Sequence, residues 1–337
     1  MAWPTRIATL GAGRMGRSIA TVFAYAGYPV VMIDLKERSA ADCEGLRAAA
    51  MAEIATQLET LAALGVLAPA DGRAIADRIA FAARDTAEAA LAEAELVFEG
   101  VPEVLDWKRE ALAFASGRMR GDAILASATS TMLVDQLAAF VTGPERFLNA
   151  HWLNPAFVMP LVELSPGERT SPAVVARLRR LLEAMGKVPV VCAASPGYIV
   201  PRIQTLAMNE AARLVEEGVA TAADVDKATR YGFGFRFAAL GLLEFIDFGG
   251  GDILYYASRY LAEATGEARF APPAIITRNM EEGRIGVRSG EGFYDWRGQA
   301  AEANRRAVMA RLIHLLRSEN LLLAPGAARA ASETEAE

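Results

Sequence analysis

The chain has 337 residues, of which 53% are hydrophobic and 23% are charged, a composition typical of folded globular proteins. Its net charge of −6 argues against the basic face that nucleic-acid binding requires. Two cysteines give neither a disulfide framework nor a metal cluster, and no apolar run approaches the roughly 20 residues of a membrane helix. We therefore predict a soluble, cytoplasmic protein without metal, membrane or nucleic-acid partners, long enough for two domains.

The first half of the chain alternates short apolar runs with alanine-rich helical stretches, which is typical of a parallel sheet covered by helices. The predicted strands are 6–10, 29–33, 79–82, 96–99, 123–126, 147–151 and 188–192. The predicted helices lie near residues 14–26, 40–64, 86–93, 105–117 and 172–185. This pattern predicts an α/β domain over residues 1–193.

From Gly197 onward the pattern becomes helical, with almost no strand signal. Helical periodicity covers 199–217, 222–231, 237–265 and 272–283, and a further helix is predicted over 300–323. We therefore predict an all-α domain over residues 194–325, followed by a low-complexity, disordered tail over residues 326–337.

A glycine turn follows the first predicted strand, in the sequence IATLGAGRMGRSIA. Gly11 permits a tight turn, Gly13 lets the backbone approach a pyrophosphate, and Gly16 allows close helix–strand packing. Arg14 and Met15 lie at the start of a helix whose free N–H groups attract phosphate oxygens. A glycine-rich turn that binds nothing is the alternative, but the strand–turn–helix context favours a dinucleotide site in a Rossmann-type domain.

The second predicted strand ends at Asp34. A carboxylate that accepts hydrogen bonds from the ribose hydroxyls is expected about 20 residues after the glycine turn, and Asp34 lies close to that position. A carboxylate repels a 2′-phosphate, so NAD is the predicted cofactor rather than NADP. Lys36 and Arg38 stand nearby and could soften this exclusion. We expect both to be solvent-facing charges at the start of a helix.

One of the two histidines begins the segment HWLNPAFVMPLVE, which runs from His151 to Glu163. A lone histidine beside Trp152 and Leu153 is often a packed, hydrogen-bonded side chain. The alternative is a general base held by a carboxylate, because imidazole titrates near neutral pH and can take and return a proton. The other histidine, His314, has no such neighbourhood and is predicted to be structural.

Four segments of the chain resemble the L-3-hydroxyacyl-CoA dehydrogenase family, and the similarity covers roughly residues 5–296 in order. HWLNPAFVMPLVE (151–163) is similar to its His-x-x-Asn-Pro…Leu-Val-Glu signature, and SATSTM (127–132) to its Ser-Asn-Thr-Ser-Ser segment. SPGYIVPRI (195–203) and GRIGVRSGEGFYDW (283–296) are similar to its domain junction and its C-terminal motif.

The resemblance implies roles for four residues in the oxidation of a secondary alcohol. His151 would be the general base, with Glu163 as its orienting partner. Ser130 would hydrogen-bond the substrate oxygen, and Asn154 would steady the substrate and the nicotinamide end of the site. The packed-histidine alternative is thereby disfavoured.

Three further residues are assigned to the cofactor side by the same resemblance. Glu103 and Lys108, in VPEVLDWK, would form a pair near the nicotinamide ribose, and Arg288 would reach back toward the cofactor. The family also implies a homodimer formed by the helical domain, and a place in fatty acid metabolism.

Other positions depart from the family pattern. Pro201 and Ala128 replace asparagines, and the helix after Asp34 offers only Arg47 as a partner for the phosphates of CoA. The stretch YGFGFRFAALGLLE (231–244) resembles relatives that oxidise free hydroxy acids, the L-gulonate and L-carnitine dehydrogenases. There Arg236 could clamp a substrate carboxylate, or it could be a surface arginine at a helix end.

These observations favour NAD-dependent oxidation of a short-chain L-3-hydroxyacyl-CoA to the 3-ketoacyl-CoA. The alternative is an NAD-dependent dehydrogenase of a free 3-hydroxy acid. A cofactor binder or structural protein without activity is a third hypothesis, and the complete set of Ser130, His151 and Glu163 argues against it.

Overall fold

The computed structural model of the protein describes residues 6–298 and 300–322, and the predicted tail 326–337 lies outside them. The chain forms two compact units, Met1–Met208 and Asn209–Glu337. Across the described residues, no helix is both long and apolar enough to cross a membrane. The same residues contain no group of His, Cys, Asp and Glu side chains suited to hold a metal ion. The predicted domain boundary after residue 193 stays a prediction.

The first unit is built on one sheet, which has eight strands within the described part of the chain. They are β1 (Ile7–Leu10), β2 (Val30–Ile33), β3 (Ile79–Ala82), β4 (Leu96–Glu99), β5 (Ile124–Ser127), β6 (Phe147–Trp152), β7 (Leu161–Pro166) and β8 (Val188–Val191). Their order is β3-β2-β1-β4-β5-β6-β7-β8, with β6 and β7 antiparallel and the other neighbours parallel. All the predicted strands are present within one residue at each end, and β7 was not predicted.

Helices connect these strands. They are α1 (Arg14–Tyr25), α2 (Ala40–Ala63), α3 (Pro69–Ala76), α4 (Ala87–Glu93), α5 (Leu105–Ser116), α6 (Val134–Ala138) and α7 (Pro172–Ala184), with a 3-10 turn at Pro144–Arg146. The sequence pattern missed the short helices α3 and α6. The parallel-rich sheet and its helices confirm the predicted α/β, Rossmann-type class, and β1 and β4 form the crossover point at which such folds bind ligands.

Apolar side chains fill both faces of this sheet, so the central strands are buried along their whole length. On one face Phe23, Phe98 and Trp152 pack together, with ring centroids 5.3 Å and 5.7 Å apart along that series. On the other face Leu112 and Phe147 belong to a second cluster. Burying one such side chain contributes about 1.5–3 kcal/mol to the stability of the fold. This packing holds the strands in place, and the site is built at their ends.

The described residues after β8 are mainly helical, which confirms the all-α class of the second part. It contains α8 (Val200–Glu216), α9 (Ala222–Ala228), a π-helix (Thr229–Gly234), α10 (Phe235–Phe237), α11 (Leu242–Gly249), α12 (Gly251–Thr265), a 3-10 turn (Ala268–Phe270), α13 (Ala274–Glu281) and α14 (Ala300–Ser318).

The segment with helical periodicity over 237–265 is divided in the structure, because the chain turns twice within that range and α11 and α12 are separate helices. Gly241 precedes α11 as its N-cap residue, and its backbone N–H donates to Glu244 Oε2 at 2.7 Å. Gly250 ends α11 with a backbone φ of 103°, a left-handed conformation that favours glycine. Apolar periodicity alone does not register such breaks.

Asp247 of α11 organises the C-terminal motif GEGFYDW within the second unit. Its buried carboxylate accepts hydrogen bonds from the backbone N–H groups of Phe293 (3.0 Å) and Tyr294 (2.9 Å) and from Trp296 Nε1 (2.8 Å). A Cβ on Gly292 would lie 2.2 Å from Asp247 Oδ1, so this position requires glycine. The conformation of the motif therefore depends on a carboxylate that lies far from it in sequence.

Candidate active site

The glycine turn between β1 and α1 has the geometry of a phosphate-binding turn. Gly11 has a φ of 93°, and a Cβ on Gly16 would lie 1.9 Å from the Gly11 carbonyl oxygen. A Cβ on Gly13 would meet nothing within 4 Å, so the backbone is open on that side. The first N–H groups of α1 lack partners within the helix and are available to phosphate oxygens.

A cavity of about 740 Å³ adjoins this turn, a volume within the usual range for ligand pockets. Carboxyl ends of β1, β2, β4 and β5 contribute to its walls. Its lining includes Gly11, Gly13, Arg14, Met15, Asp34, Glu103, Ala128 and Ser130. The open glycine backbone, the helix terminus and a carboxylate at the end of β2 together fit a dinucleotide with unphosphorylated ribose hydroxyls.

Asp34 is 5% exposed, and its carboxylate Oδ2 accepts a hydrogen bond of 2.6 Å from Arg38 Nε. Lys36 Nζ lies 4.8 Å from the centre of the Trp107 ring. Lys36 and Arg38 are exposed, as expected, but they precede α2, which begins at Ala40, and both line the cavity. The Asp34 carboxylate, at the end of the cavity expected to bind the ribose, is therefore paired with the Arg38 guanidinium.

His151 and Glu163 are brought together by the antiparallel pairing of β6 with β7, which places them directly opposite each other. His151 Nδ1 lies 2.8 Å from Glu163 Oε2. The side chain of Glu163 is fully buried and that of His151 is 7% exposed. The unpredicted strand β7 thus positions the carboxylate for the histidine.

The second oxygen of this carboxylate is also occupied. Glu163 Oε1 accepts backbone N–H groups of Ile199 and Val200, each at 2.9 Å, where α8 begins. Burial acts to raise the pKa of Glu163, but the hydrogen bonds from His151 and the two N–H groups outweigh it, and the pKa lies below its ordinary value. An ionised Glu163 favours the proton on His151 Nδ1, which leaves the Nε2 lone pair for chemistry.

Ser130 is exposed, and its backbone is fixed by Glu103. Glu103 Oε1 accepts hydrogen bonds from Thr129 Oγ1 (2.5 Å) and from the backbone N–H groups of Ser130 (3.0 Å) and Thr131 (3.1 Å). Although burial acts to raise the pKa of Glu103, the Thr129 and Thr131 hydrogen bonds and the Lys108 charge lower it below its ordinary value. Glu103 is therefore an anionic anchor for the loop that carries Ser130.

Lys108 lies behind Glu103 and is 1% exposed. Its ammonium contacts both oxygens of the buried Glu99 (3.0 and 3.1 Å), the Val101 carbonyl (3.2 Å) and Glu103 Oε2 (3.3 Å). Ser127 Oγ also donates to Glu99. The structure thus brings Lys108 together with Glu103, its expected partner, within a buried charge network, and the role of this pair near the nicotinamide ribose stays a prediction.

Asn154 lies exposed in the connection between β6 and β7. Lys187 Nζ fixes this connection by donating to the carbonyl oxygens of Ala156 (2.7 Å), Phe157 (3.1 Å) and Met159 (3.0 Å). Asn154 therefore lies at the start of a loop with a defined backbone, close in sequence to His151.

Arg236 and Arg288 belong to the second unit. The Arg236 side chain is exposed, with its guanidinium carbon 4.4 Å from the centre of the Phe245 ring. Arg288 makes an ion pair of 2.5 Å with Asp252. Pro201 lies in the first turn of α8, where the missing N–H of proline is tolerated.

Three residues at the site are not indicated by the sequence patterns. Glu99 ends the apolar run LVFE, and a charged residue at the carboxyl end of a buried strand was a usable signal. Tyr198 and Asn149 contact each other and the surroundings of His151, but neither carries a local sequence signal. Their importance follows from tertiary contacts alone.

The fold and site define a nicotinamide-dependent dehydrogenase. Residues 6–195 match the model of the 3-hydroxyacyl-CoA dehydrogenase NAD binding domain, and residues 197–296 match that of the 3-hydroxyacyl-CoA dehydrogenase C-terminal domain. The chain belongs to the 3-hydroxyacyl-CoA dehydrogenase family. It is an oxidoreductase acting on CH–OH groups, and its cofactor is NAD.

Individual relatives differ in the substrates that their names record. The chain is 32% identical to a 5-formyl-3-hydroxy-2-methylpyridine 4-carboxylate 5-dehydrogenase of Mesorhizobium japonicum, covering 91% of this chain and 97% of that one. It is also 32% identical to a 3-hydroxybutyryl-CoA dehydrogenase of Mycobacterium tuberculosis, covering 86% and 98%. A solved 3-hydroxyacyl-CoA dehydrogenase of Archaeoglobus fulgidus is similar with a TM-score of 0.72 and 31% identity, covering 94% of this chain and 100% of that one.

The Asp34 carboxylate predicts at least tenfold tighter binding of NADH than of NADPH. Asp34→Ala should narrow this ratio, because it removes the repulsion of a 2′-phosphate and frees the Arg38 guanidinium. Fluorescence titration gives both Kd values, with Glu37→Ala as the control because Glu37 is another carboxylate on the same wall. A wild-type preference for NADPH would contradict the assignment of Asp34.

Proposed function

We propose that this enzyme oxidises short-chain L-3-hydroxyacyl-CoA thioesters to 3-ketoacyl-CoA, reversibly, with His151 as the general base. The observation that carries the proposal is the buried contact between His151 Nδ1 and the Glu163 carboxylate. Membership of the family and the name of the M. tuberculosis relative support the substrate class.

In this mechanism NAD, when bound, supplies the acceptor for the hydrogen that leaves carbon as hydride. His151 Nε2 removes the proton from the substrate hydroxyl, and Glu163 stabilises the imidazolium that forms. The Ser130 hydroxyl donates a hydrogen bond to the substrate oxygen as negative charge develops on it. Asn154 orients the substrate.

The assignments on the cofactor side belong to the same proposal. Gly11, Gly13, Arg14, Met15 and Gly16 form the pyrophosphate turn, and Asp34 takes the adenine ribose. Glu103 acts near the nicotinamide ribose while it fixes the Ser130 loop, and Lys108 acts there through Glu103. We assign Arg288 to the cofactor on the family resemblance.

A homodimer is also part of the proposal. On α12 the side chains of Ile253, Tyr256 and Tyr260 are 60%, 59% and 71% exposed and lie on one face of the helix. A contiguous exposed apolar stripe of this kind marks a protein interface, and a second copy of the chain would cover it. Cytoplasmic location and a role in fatty acid metabolism complete the proposed setting.

The second candidate function is oxidation of a free hydroxy acid. The name of the M. japonicum relative records a carboxylate substrate that is not a CoA thioester. Arg236 is exposed beside Phe245 and could form a bidentate pair with a substrate carboxylate.

His151→Gln should lower kcat by about 10²–10⁴-fold and leave the Kd of NADH nearly unchanged, because the base acts on substrate rather than cofactor. Glu163→Gln should lower kcat less, because the amide keeps a partner beside His151 Nδ1 but carries no charge to stabilise the imidazolium. His314→Gln is the control, because it changes the other histidine. Turnover of wild-type magnitude in His151→Gln would show that His151 is a packed side chain and not the general base.

Acetoacetyl-CoA should be reduced with NADH at a higher kcat/KM than free acetoacetate, and L-3-hydroxybutyryl-CoA should be oxidised in preference to L-carnitine or L-gulonate. With a thioester substrate, Arg236→Ala should barely change KM. If Arg236 clamps a carboxylate, the same change should raise KM at least tenfold, as expected for a lost charge-assisted contact of about 1.5–3 kcal/mol. Arg230→Ala, at an exposed arginine of the same segment, is the control. Activity confined to free hydroxy acids with a large Arg236 effect would contradict the first proposal.

A further inference from the structure

We infer that Tyr198 is a positioning residue, which holds the imidazole of His151 and the loop of Ser130 in one frame. The inference rests on the proposed function of those two residues. Tyr198 is 4% exposed and precedes α8, with a backbone φ of 46° that is uncommon outside glycine. The backbone is thus held in a specific conformation that turns the phenol inward.

The phenol ring of Tyr198 stacks on the imidazole of His151, with centroids 5.4 Å apart and planes inclined by 21°. Glu163 holds the imidazole at Nδ1 only. One hydrogen bond fixes the position of an atom but leaves the ring free to tilt about it. Contact with a flat, buried phenol limits that tilt and so fixes the direction of the His151 Nε2 lone pair.

The hydroxyl of Tyr198 connects two different elements. It accepts a hydrogen bond from Asn149 Nδ2 at 2.9 Å and donates to the Thr129 carbonyl at 3.1 Å. Asn149 lies on β6 two residues before His151, and its amide also donates to the Met132 carbonyl at 3.0 Å. The strand of the base and the loop on either side of Ser130 are therefore joined through one phenol.

The residues after Tyr198 act on the same base. Ile199 and Val200 donate their backbone N–H groups to Glu163 Oε1. The segment 198–200 thus contacts both the face of the imidazole and its carboxylate partner. Burial raises the pKa of Tyr198 well above its ordinary value, so the hydroxyl remains protonated and acts as a donor rather than as an acid or base.

Two substitutions separate the ring from the hydroxyl. Tyr198→Phe keeps the stacked ring and should lower kcat about tenfold, the effect of one or two neutral hydrogen bonds. Tyr198→Leu removes both and should lower kcat about 10²-fold, as expected when a catalytic group is misplaced by about 1 Å. The Kd of NADH should stay within twofold of the wild-type value in both variants, because Tyr198 contacts His151 and the loop of Ser130. Tyr25→Phe, at an exposed tyrosine of the same unit, is the control and should retain wild-type kcat.

A double-mutant cycle with Ser130→Ala tests the connection to the loop. If the hydroxyl acts through Ser130, Tyr198→Phe should change kcat less than twofold in the Ser130→Ala background. Equal fold-changes in both backgrounds, or wild-type kcat in Tyr198→Phe, would overturn the inference even if Tyr198→Leu fails to fold. These outcomes require active wild-type enzyme. An inactive wild type toward acetoacetyl-CoA and free acetoacetate would instead overturn the proposed function, and this inference with it.

Discussion

A buried carboxylate opposite a histidine is the constraint on which the site depends. Glu163 has no exposed surface, so its charge must be matched by donors within the protein. The structure supplies three: His151 Nδ1 from the neighbouring strand and two backbone N–H groups from the start of α8. Because removing one partner from such a group is strongly unfavourable, the pairing of β6 with β7 and the path of residues 198–200 are tied to one carboxylate.

The same principle recurs on the other side of the cavity. Glu103 gathers the N–H groups and hydroxyls of residues 129–131, and Glu99 holds the buried Lys108 behind it. Both carboxylates lie at or just beyond the carboxyl end of β4, beside the crossover point of the sheet. Glu103 thus fixes the loop of Ser130, and Glu99 connects β4 to Lys108 of α5 and to Ser127 of β5. The loop of Ser130 and the strand of His151 are then connected by the hydroxyl of Tyr198.

Sequence patterns predicted what depends on local periodicity and on short motifs. The glycine turn, Asp34 and the parallel strands follow from residues close together in the chain, and the structure has them where they were expected. Strand β7 was missed because its apolar run follows Pro160 and was interpreted only as a motif around Glu163. The fully enclosed position of Lys108 and the hydrogen bonds of Asp247 to the C-terminal motif arise from residues distant in sequence. Such contacts leave no periodic signal in the sequence. The Arg38–Asp34 ion pair leaves none either, because the sequence around a charged residue near a helix start is the same whether its side chain faces solvent or a cavity.

We expect Glu163 to keep the proton of neutral His151 on Nδ1 and to leave Nε2 as the base. The chain has two histidines, so a protein labelled with ¹⁵N-histidine gives two sets of ring signals, and His314→Gln assigns them. Nitrogen NMR of the neutral rings should show His151 with Nδ1 protonated and Nε2 unprotonated. Glu163→Gln should remove this preference. A neutral His151 with its proton on Nε2 in the wild-type protein would contradict this role of Glu163.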